Sequence, residues 1–442
     1  MNRYLSELHH LVAEKTAPVV VVGLGYVGLP VACMLARVGF PVTGVDIDPQ
    51  KVARINAGAL PLGGREPGMA ELLADVVASG RLRASSDYTA CQAARVVLIS
   101  VETPVETTDR RPAYRALRRA CEEVGRAVRP GTLVIVESTI APGTMATVVQ
   151  PLLERASGLR VGQELFLGHC PERVMAGRLL ANLEQCARAV GGMDAPTAEL
   201  AVALYRHIVR GDLDATDCLT AELVKTAENA YRDVQIAFAN EVALLCENVG
   251  ADVYRVRELV NKSPQRNMHM PGAGVGGHCI SKDPWLLIHG TAGPNPARLM
   301  PVARAINDGM PLHVAGLVRD GLAEAGREVS AARVAVLGYA FREDSDDTRN
   351  TPSEPLATRL REWGAEVVIH DPYVAPYAVD WESCVAGADC VVLMVRHSAY
   401  SAIALERLAE RMRTQVLVDG RGMFDKATAR RVGFVYKGVG NL

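Results

Sequence analysis

An uncharged run near the amino terminus limits what this chain can fold into. Residues 16–36 carry no ionised side chain, and such a run is long enough for a membrane helix. Glycines and a proline interrupt it, however, and the letters VVVVGLGYVGLP are typical of a buried strand, a tight turn and a helix start. The preceding MNRYLSELHHLVAEK contains acidic residues and no compact basic region, unlike an export signal. We therefore predict a strand, turn and helix rather than a membrane anchor.

Length, charge and cysteine content narrow the class of protein. The chain has 442 residues, so we expect two or three domains with their own cores. Its formal net charge is -2 and its basic residues are spread along the chain, which favours neither nucleic acid nor a membrane surface as a partner. Ten cysteines lie at irregular spacings without a CxxC pair, a pattern typical of reduced thiols in a cytoplasmic protein.

The turn after the first predicted strand has the spacing of a phosphate-binding loop. It reads G-x-G-x-x-G, in which the first glycine allows the turn, the second lets a pyrophosphate approach and the third lets the helix pack on the strand. Asp46 ends the next strand about twenty residues later, where a carboxylate accepts the ribose hydroxyls of NAD and repels the 2′-phosphate of NADP. We predict NAD binding, and packing of helix on strand is the competing explanation for the glycines. The predicted cofactor residues here are Gly23, Gly25, Tyr26, Val27, Gly28 and Asp46.

Two further strands end in threonine-containing turns. The segments ARVVLISVETP and GTLVIVESTIAPGT fit the same doubly wound parallel sheet. Ligands of such sheets bind at the carboxyl ends of the strands, so Thr103 and Thr139 are candidate contacts of cofactor or substrate. Capping of the turns explains each threonine equally well.

A long helix is predicted over residues 220–249. The segment has helical periodicity and contains neither Gly nor Pro before Gly250. Lys225 and Asn229 are four residues apart and share one face, which Asp233 continues. An amine and an amide aligned in this way can stabilise a developing oxyanion or hold a catalytic water. An exposed polar stripe is the alternative.

The segment PGAGVGGHCISKDPW places a cysteine beside four glycines. Cys279 follows this glycine-rich stretch and Asp283 comes four residues later. Small neighbours leave room for a substrate carbon near the sulfur. Because an ordinary thiol has a pKa of about 8.5, a nearby cation or helix start must favour the thiolate, and Lys225 and His278 are candidates. Asp283 can instead accept protons or orient Lys225, and a buried, inert thiol is the alternative for Cys279.

Two His-Cys pairs suggest a zinc site as a further alternative. His278-Cys279 is repeated as His169-Cys170, and such residues bind zinc in alcohol dehydrogenases. Neither pair has another Cys or His within four residues, whereas zinc ligands usually form tighter clusters. We therefore favour a site without metal.

The last third of the chain reads as a second α/β domain. ARVAVLGYAFREDSDDTRNTPS begins a strand, turn and helix, and AEVVIHDPYV, ADCVVLMV and TQVLVDGRG supply further strands. The turn GYA lacks the remaining glycines of a dinucleotide site, so a second NAD is not expected. Arg342, Arg349 and Arg421 can reach the phosphates of another nucleotide, although surface arginines are the commoner explanation.

Several of these segments together resemble one enzyme family. Taken in order, GLGYVGLP, ESTIAPGT, CPERV, KTAENAYRD, GVGGHCISKDP, GYAFREDSDDTR and HDPYV resemble the UDP-glucose/GDP-mannose dehydrogenase family from about residue 18 to the end. The resemblance implies oxidation of the C6 alcohol of a nucleotide sugar to a carboxylate with two NAD, through a cysteine thiohemiacetal and thioester. It also implies two Rossmann-like doubly wound parallel-sheet domains joined by a helical domain with a long central helix, assembled as a homodimer or higher oligomer.

The resemblance implies domain bounds and residue roles. We expect an NAD-binding domain over residues 1–210, a central helical dimerisation domain over 211–315 and a nucleotide-sugar-binding domain over 316–442. Cys279 is the expected nucleophile, and Arg266 is expected to reach the substrate of a neighbouring subunit. The groups expected to polarise the C6 oxygen, hold the hydrolytic water or assist are Lys225, Asn229, Asp283, Thr139 and Glu172. The expected substrate contacts are Glu172, Arg173, Lys225, Arg266, Gly276, Arg342 and Arg349.

Three positions depart from the family pattern. Ala176 stands where many members have a second acid, Cys170 stands in place of a serine, and Arg342 replaces a lysine. These departures leave the expected nucleophile in place and fall among the positions that the resemblance associates with water activation and sugar binding.

The sugar, the base and the reaction class have alternatives. His278, DPW and PERV resemble the branch that acts on UDP-N-acetylhexosamines, but SKD after the cysteine mixes features of both branches. A UDP- or dTDP-linked glucose or N-acetylhexosamine therefore fits the sequence. A β-hydroxyacid dehydrogenase shares the first domain and a Lys-x-x-x-Asn helix but makes one NADH, and a non-catalytic NAD sensor is a third class. The C-terminal domain disfavours the β-hydroxyacid dehydrogenase. The presence of Cys279, Lys225, Asn229 and Asp283 together disfavours the sensor.

Overall fold

The computed structural model describes residues 2–64, 66–174 and 177–442. These residues form two compact units, of which the first holds the residues up to Glu228 together with Trp285–Asn295. The second unit holds Asn229–Pro284 and Pro296–Leu442. Within the described part of the chain, none of the helices combines the length and apolar character needed to span a bilayer.

The first unit alternates strands with helices. Its strands are β1 Val19–Val22, β2 Val42–Val45, β3 Leu82–Ser85, β4 Val96–Ile99, β5 Thr132–Val136, β6 Leu165–His169, β7 Arg188–Gly192 and β8 Leu213–Asp217. Its helices are α1 Arg3–Ala13, α2 Gly28–Val38, α3 Pro49–Asn56, α4 Met69–Ala78, α5 Arg115–Ala127, α6 Gln150–Ser157, α7 Leu179–Gln185 and α8 Ala195–Tyr205. The uncharged amino-terminal run therefore forms β1, a turn and α2, as predicted.

The eight strands form one sheet in the order β3-β2-β1-β4-β5-β6-β7-β8. The first six follow the order of dinucleotide-binding doubly wound folds, in which ligands bind where the strand order reverses, between β1 and β4. The four valines of β1 are buried, because helices cover both faces of the sheet. Only the pairing of β6 with β7 is antiparallel among the strand pairs described, with His169 opposite Gly191.

The remaining elements belong wholly or partly to the second unit. Two helices have residues in both units, namely α9 Cys218–Val249 and α11 Asp283–Gly290. The other helices are α10 Val253–Val260, α12 Leu299–Glu324, α13 Ser353–Glu362, α14 Trp381–Val385, α15 Leu405–Arg411 and α16 Lys426–Val432. The strands are β9 Arg333–Leu337, β10 Glu366–His370, β11 Cys390–Leu393, β12 Val416–Asp419 and β13 Val435–Gly438. The long helix predicted over residues 220–249 is thus observed as α9.

The second sheet is parallel and has the order β10-β9-β11-β12-β13. This is the order of flavodoxin-like doubly wound folds. At the end of β9, the turn GYA is closed by Asp371, whose carboxylate accepts the amides of Tyr339 at 2.6 Å and Ala340 at 2.8 Å. The α/β class with a parallel sheet at each end and helices between them is confirmed.

Candidate active site

The three glycines of the turn after β1 have different surroundings. Gly23 has a φ of +89°, and a Cβ there would lie 2.3 Å from the carbonyl oxygen of Ser100. A Cβ on Gly28 would lie 2.0 Å from the carbonyl oxygen of Gly23. A Cβ on Gly25 would meet no atom within 4 Å. Protein packing therefore requires the first and third glycines, and the second faces open space at the end of β1, as a pyrophosphate site needs.

Asp46 lies directly after β2 and is held beside this turn. Its Oδ2 accepts the amide of Leu24 at 2.9 Å, and Lys51 Nζ lies 2.9 Å from the same oxygen. Its Oδ1 accepts the amide of Asp48 at 3.0 Å. A fixed carboxylate at this place is suited to the ribose hydroxyls of NAD. The turn and the acid together fit the cofactor that the sequence predicts.

Tyr26 and Val27 complete the turn. The Tyr26 hydroxyl donates to Glu66, whose carboxylate also accepts the amide of Gly177 at 2.7 Å. Val27 immediately precedes α2. Tyr26 is therefore anchored by a protein contact as well as lying within the predicted cofactor site.

Thr103 and Thr139 meet at the carboxyl ends of β4 and β5. The Thr103 hydroxyl donates to the carbonyl of Thr139 at 2.6 Å. Next to this contact, the Ser138 hydroxyl donates to the carbonyl of Val101 at 2.6 Å and accepts the amide of Val101 at 2.9 Å. The Thr103 hydroxyl thus links the turn after β4 to the turn after β5. Both threonines lie at the edge of the sheet where cofactor and substrate were expected.

Lys225 and the segment CPERV come together within the first unit. Lys225 is 7% exposed, and its Nζ donates to the carbonyl of Glu172 at 2.6 Å. The Glu172 carboxylate accepts the amide of Val174. The guanidinium of Arg173 pairs with Glu228, with Nε 3.0 Å from Oε2. The position of Ala176 lies outside the described residues.

Glu222 lies on α9 one turn before Lys225 and was not predicted as a site residue. Its carboxylate accepts the amides of Gly143 at 2.6 Å and Met145 at 2.7 Å. Burial raises the pKa of Glu222 to about 7. This acid fixes the turn that follows Thr139 against α9. An acid within an otherwise apolar part of the helix was the only signal for it in the sequence.

The second unit presents Cys279 on a short loop of residues 272–279, called here the cysteine loop. Cys279 is exposed, whereas eight of the other cysteines are buried and Cys186 is partly buried. The Gly277 amide donates to the carbonyl of Arg349 at 2.8 Å, and Asn350 Nδ2 donates to the carbonyl of Gly277 at 3.1 Å. The loop is therefore held at Gly277, two residues before the cysteine, by contacts with the segment after β9.

Packing explains the glycines of the cysteine loop more directly than substrate access does. A Cβ on Gly276 would lie 2.4 Å from Cβ of Phe341 and 2.9 Å from the carbonyl oxygen of Asn350. A Cβ on Gly272 would lie 2.6 Å from Arg421 Nη1. Arg421 also donates from Nε to the carbonyl of Met394 at 2.7 Å. Arg421 is thus packed against the loop and is not a surface arginine.

Asn229, Lys282 and Asp283 form a polar group within the second unit. Asn229 Nδ2 donates to Asp283 Oδ2 at 2.5 Å, and Lys282 Nζ lies 3.1 Å from Asp283 Oδ1. Lys282 is 5% exposed and Asp283 is 1% exposed. The amide of Asp283 donates to the carbonyl of Cys279 at 2.9 Å, so the acid begins α11 one turn after the cysteine. Lys282, which was not predicted as a site residue, balances the charge of this buried carboxylate.

The structure corrects the choice of cation beside Cys279. Burial lowers the pKa of His278 to about 4, so this side chain is neutral near pH 7 and cannot favour a thiolate by its charge. Hydrogen bonds to Asp347 raise the pKa of Arg349, and the negative charge of Cys279 acts in the same direction. Of the two candidate cations, Lys225 and His278, the histidine is therefore excluded as a source of positive charge.

The other predicted arginines occupy unlike positions. Arg266 is exposed, and its Nη1 donates to the carbonyl of Pro264 at 3.4 Å. Arg342 is partly buried in the segment between β9 and α13. Arg349 Nε donates to Asp347 Oδ1 at 2.9 Å. A phosphate bound by Arg349, as predicted, would compete with Asp347 for this guanidinium.

The zinc alternative gains no support. His169 is fully buried, its Nδ1 lies 2.8 Å from the carbonyl of Val136, and burial lowers its pKa to about 4. Burial raises the pKa of Cys170 to about 12, which disfavours a thiolate ligand. Within residues 2–64, 66–174 and 177–442, no three His, Cys, Asp or Glu side chains are grouped so that they could hold a metal ion.

Comparisons with known proteins cover most of the chain. Models of the UDP-glucose/GDP-mannose dehydrogenase family match its NAD binding domain at residues 17–209, its central domain at 219–309 and its UDP binding domain at 335–426. A UDP-N-acetyl-D-mannosamine dehydrogenase of Pyrococcus horikoshii is 39% identical, over 96% of this chain and 99% of the relative. An NDP-N-acetyl-D-galactosaminuronic acid dehydrogenase of Ralstonia solanacearum is 35% identical, over 91% of this chain and 95% of the relative.

A solved structure agrees with these matches. A UDP-D-ManNAc dehydrogenase of Pyrococcus horikoshii superposes with a TM-score of 0.91 at 38% identity, covering 96% of this chain and 99% of that chain. The chain therefore belongs to the UDP-glucose/GDP-mannose dehydrogenase family and is an NAD-dependent oxidoreductase acting on the CH–OH group of a nucleotide sugar.

Proposed function

We propose that this enzyme oxidises the C6 hydroxyl of a UDP-N-acetylhexosamine to the carboxylate, with Cys279 as covalent nucleophile. The observation that carries the proposal is the exposed Cys279 one helical turn from the buried Asp283, which Asn229 and Lys282 contact. The names of the relatives from Pyrococcus horikoshii and Ralstonia solanacearum support an N-acetylated sugar. They favour it over the glucose that the sequence left open.

The proposed chemistry proceeds in two oxidations. NAD, which the turn after β1 and Asp46 would hold, would take up the hydride that C6 loses in each of them, and the C6 hydroxyl gives up its proton in the first. After the first, the Cys279 thiolate adds to the C6 aldehyde and the resulting oxyanion takes up a proton, which gives a thiohemiacetal. Loss of the second hydride and of the hydroxyl proton gives a thioester, and water then cleaves the C–S bond to release carboxylate and thiol. Covalent capture keeps the aldehyde from escaping between the two oxidations.

In this scheme, the remaining polar groups stabilise charge on the C6 oxygen and hold the hydrolytic water. Lys225 supplies a positive charge to the C6 oxygen while the carbonyl of Glu172 orients its amine. Asn229 and Asp283, already hydrogen-bonded to each other, hold the hydrolytic water. The groups proposed to assist these steps or to contact the sugar and phosphates are Thr139, Glu172, Arg173, Arg266, Gly276, Arg342 and Arg349.

We further propose that the enzyme is a cytoplasmic homodimer with the three domains given above. Tyr231, Phe238 and Leu245 are seven residues apart on α9 and are 66%, 56% and 58% exposed. Residues at this spacing lie on one face of a helix, and an exposed row of large apolar side chains favours association. The proposed interface uses this row, and Arg266 then reaches the partner's substrate. Light scattering coupled to size-exclusion chromatography measures the assembly.

Counting NADH tests the reaction class. A four-electron oxidation releases two NADH per sugar, and a single hydride transfer of the β-hydroxyacid type releases one. The family models, which match all three parts of the chain, do not favour the single transfer. Assays with UDP-ManNAc, UDP-GalNAc, UDP-GlcNAc, UDP-glucose and dTDP-glucose identify the substrate. Highest kcat/KM for either glucose nucleotide would overturn the proposed sugar class.

Replacement of the nucleophile tests the covalent step. We expect Cys279→Ser to bind NAD with unchanged Kd and to lose net uronate formation by at least a thousandfold, because a serine hydroxyl is a far weaker nucleophile than a thiolate. Cys186→Ser, at the partly buried cysteine of α7's carboxyl end, is the matched control and should retain full turnover. Full uronate formation by Cys279→Ser would reject the mechanism.

A further inference from the structure

A buried polar network joins α9 to α12 in the second unit. Arg304 Nη1 donates to Asp233 Oδ1 at 2.6 Å, and Asn307 Nδ2 donates to the same oxygen at 2.8 Å. Asn307 Nδ2 also lies 3.0 Å from the carbonyl of Asp233. Each of these three side chains is at most 1% exposed. The network therefore lies in the interior and is shielded from water.

The network continues to the cysteine loop through Asn240. Asn240 Nδ2 donates to Asn307 Oδ1 at 2.9 Å, and its Oδ1 accepts the amide of Gly272 at 2.9 Å. Asn240 is 1% exposed. Gly272 is the first residue of the loop that ends at Cys279. Asn240 and Asn307 thus connect the interior ion pair to the loop that carries the cysteine.

The positions of donors and acceptors fix the orientation of both side-chain amides in this network, those of Asn307 and Asn240. The Asp233 carboxylate accepts only, so Asn307 must turn its NH2 group toward it and its oxygen toward Asn240. Asn240 must then offer its NH2 group to Asn307, which leaves its oxygen for the Gly272 amide. An apolar side chain at position 240 would leave two buried groups, the Asn307 oxygen and the Gly272 amide, without partners.

We propose that Asn240 is a positioning residue that sets the place of the cysteine loop, and thereby of Cys279, for the proposed covalent chemistry. The inference rests on the proposed function in assigning Cys279 as nucleophile. Farther along the loop, Arg421 Nη2 lies 3.5 Å from the carbonyl of Gly274, and the Gly277 amide is held by Arg349. Asn240 therefore fixes the entry to the loop, and the other two contacts fix its middle and end.

Hydrogen exchange and kinetics of Asn240→Leu test the proposal. The leucine has nearly the same size and makes none of the hydrogen bonds. We expect a peptide that begins before Pro271 and covers residues 272–279 to exchange its amide hydrogens at least tenfold faster, because the Gly272 amide loses its acceptor. We expect kcat to fall at least tenfold with the KM for NAD unchanged. Asn240→Asp keeps the acceptor for Gly272 and loses the donor to Asn307, so its kcat should lie between those of the leucine variant and the native enzyme.

Val318→Ala is the matched control for lost stability. Val318 is a fully buried core residue of α12 and takes no part in the polar network. It should lower the unfolding temperature without accelerating exchange in the loop or lowering kcat at 25 °C. Unchanged exchange in Asn240→Leu, or faster exchange with native kcat, would overturn the positioning role. The exchange measurement does not depend on Cys279, so an active Cys279→Ser would reject the proposed function separately.

Discussion

At the scale of single residues, the glycines after β1 differ in what occupies the space where a side chain would lie. Gly23 and Gly28 leave room for protein backbone, and Gly25 leaves room that no described protein atom fills. Substitutions at these positions should therefore separate folding from cofactor binding. The usual treatment of such a motif as one unit hides this difference.

We expect Gly25→Ala to fold with an unchanged unfolding temperature and to raise the Kd for NAD at least tenfold. The added methyl group meets no protein atom within 4 Å but occupies the space that a pyrophosphate needs. Isothermal titration and thermal unfolding measure the two quantities. Gly28→Ala is the control and should lower the unfolding temperature, because its methyl group would lie 2.0 Å from a carbonyl oxygen. Native NAD affinity in Gly25→Ala would show that the dinucleotide does not pass over this glycine.

Sequence reasoning works at this scale where the signal is local. Gly23, Gly25 and Gly28 could be recognised by spacing, and Asp46 by its place after a strand. The contact of Asn229 with Asp283 joins residues 54 positions apart, so the pattern of α9 alone could not reveal it. The neutral state of His278 depends on burial, which its neighbours in sequence do not indicate.

At the scale of elements, the cysteine loop owes its shape to the segment that follows β9. Gly276 and Gly277 pack against Phe341, and the peptide groups of Gly277 bond to Arg349 and Asn350. The loop that carries Cys279 is thereby held by packing at both glycines and by two hydrogen bonds at Gly277. Its geometry should be sensitive to one methyl group.

We expect Gly276→Ala to lower kcat at least a hundredfold, because its methyl group would lie 2.4 Å from Cβ of Phe341 and the loop must shift. Gly309→Ala is the control in the interior of α12, where an added Cβ meets no atom within 4 Å. That variant should keep native kcat and gain up to about 1 kcal/mol of stability from reduced freedom of the unfolded chain. Steady-state kinetics and urea unfolding distinguish the two, and native kcat in Gly276→Ala would contradict the tight fit.

The elements themselves were largely predictable, with an instructive exception. The period of α9 and the apolar runs of β1, β4 and β5 are strong local signals, and each was recognised. The reversal of β7 was not, because RAVGG carries no mark of its direction and pairs with β6 through glycines. Strand direction depends on where the connecting chain returns, which is a property of the tertiary structure.

At the scale of the whole molecule, buried carboxyl groups connect stability to pH. Glu137 is 2% exposed, and its Oε1 accepts the hydroxyl of Tyr205 at 2.8 Å. Burial raises the pKa of Glu137 to about 7, although Arg188 opposes this shift. The folded protein then binds this proton more tightly than the unfolded chain does. Stability from this group is complete below the unfolded pKa and is lost as the pH rises toward 7.

We expect Glu137→Gln to flatten the dependence of unfolding free energy on pH. A carboxyl whose pKa rises from about 4.5 to about 7 on folding changes stability by about 3 kcal/mol across that interval. The native enzyme should lose most of this amount between about pH 4.5 and about pH 7, and the glutamine variant should lose less. Glu222 has the same direction of shift and stays in both proteins, so a residual slope is expected. Identical slopes in urea unfolding would mean that Glu137 is ionised in the folded enzyme throughout.

Because Cys279 is exposed and eight other cysteines are buried, the reactivity of the thiols can be used to follow unfolding. Five buried cysteines, namely Cys33, Cys91, Cys121, Cys170 and Cys218, belong to the first compact unit, and Cys246, Cys384 and Cys390 belong to the second. A brief pulse of maleimide on the native enzyme would tag Cys279 first. Pulses at rising denaturant concentration would then label each set of buried cysteines when its own unit unfolds. Mass spectrometry of the labelled protein would therefore show at which denaturant concentration each unit unfolds, without any engineered label.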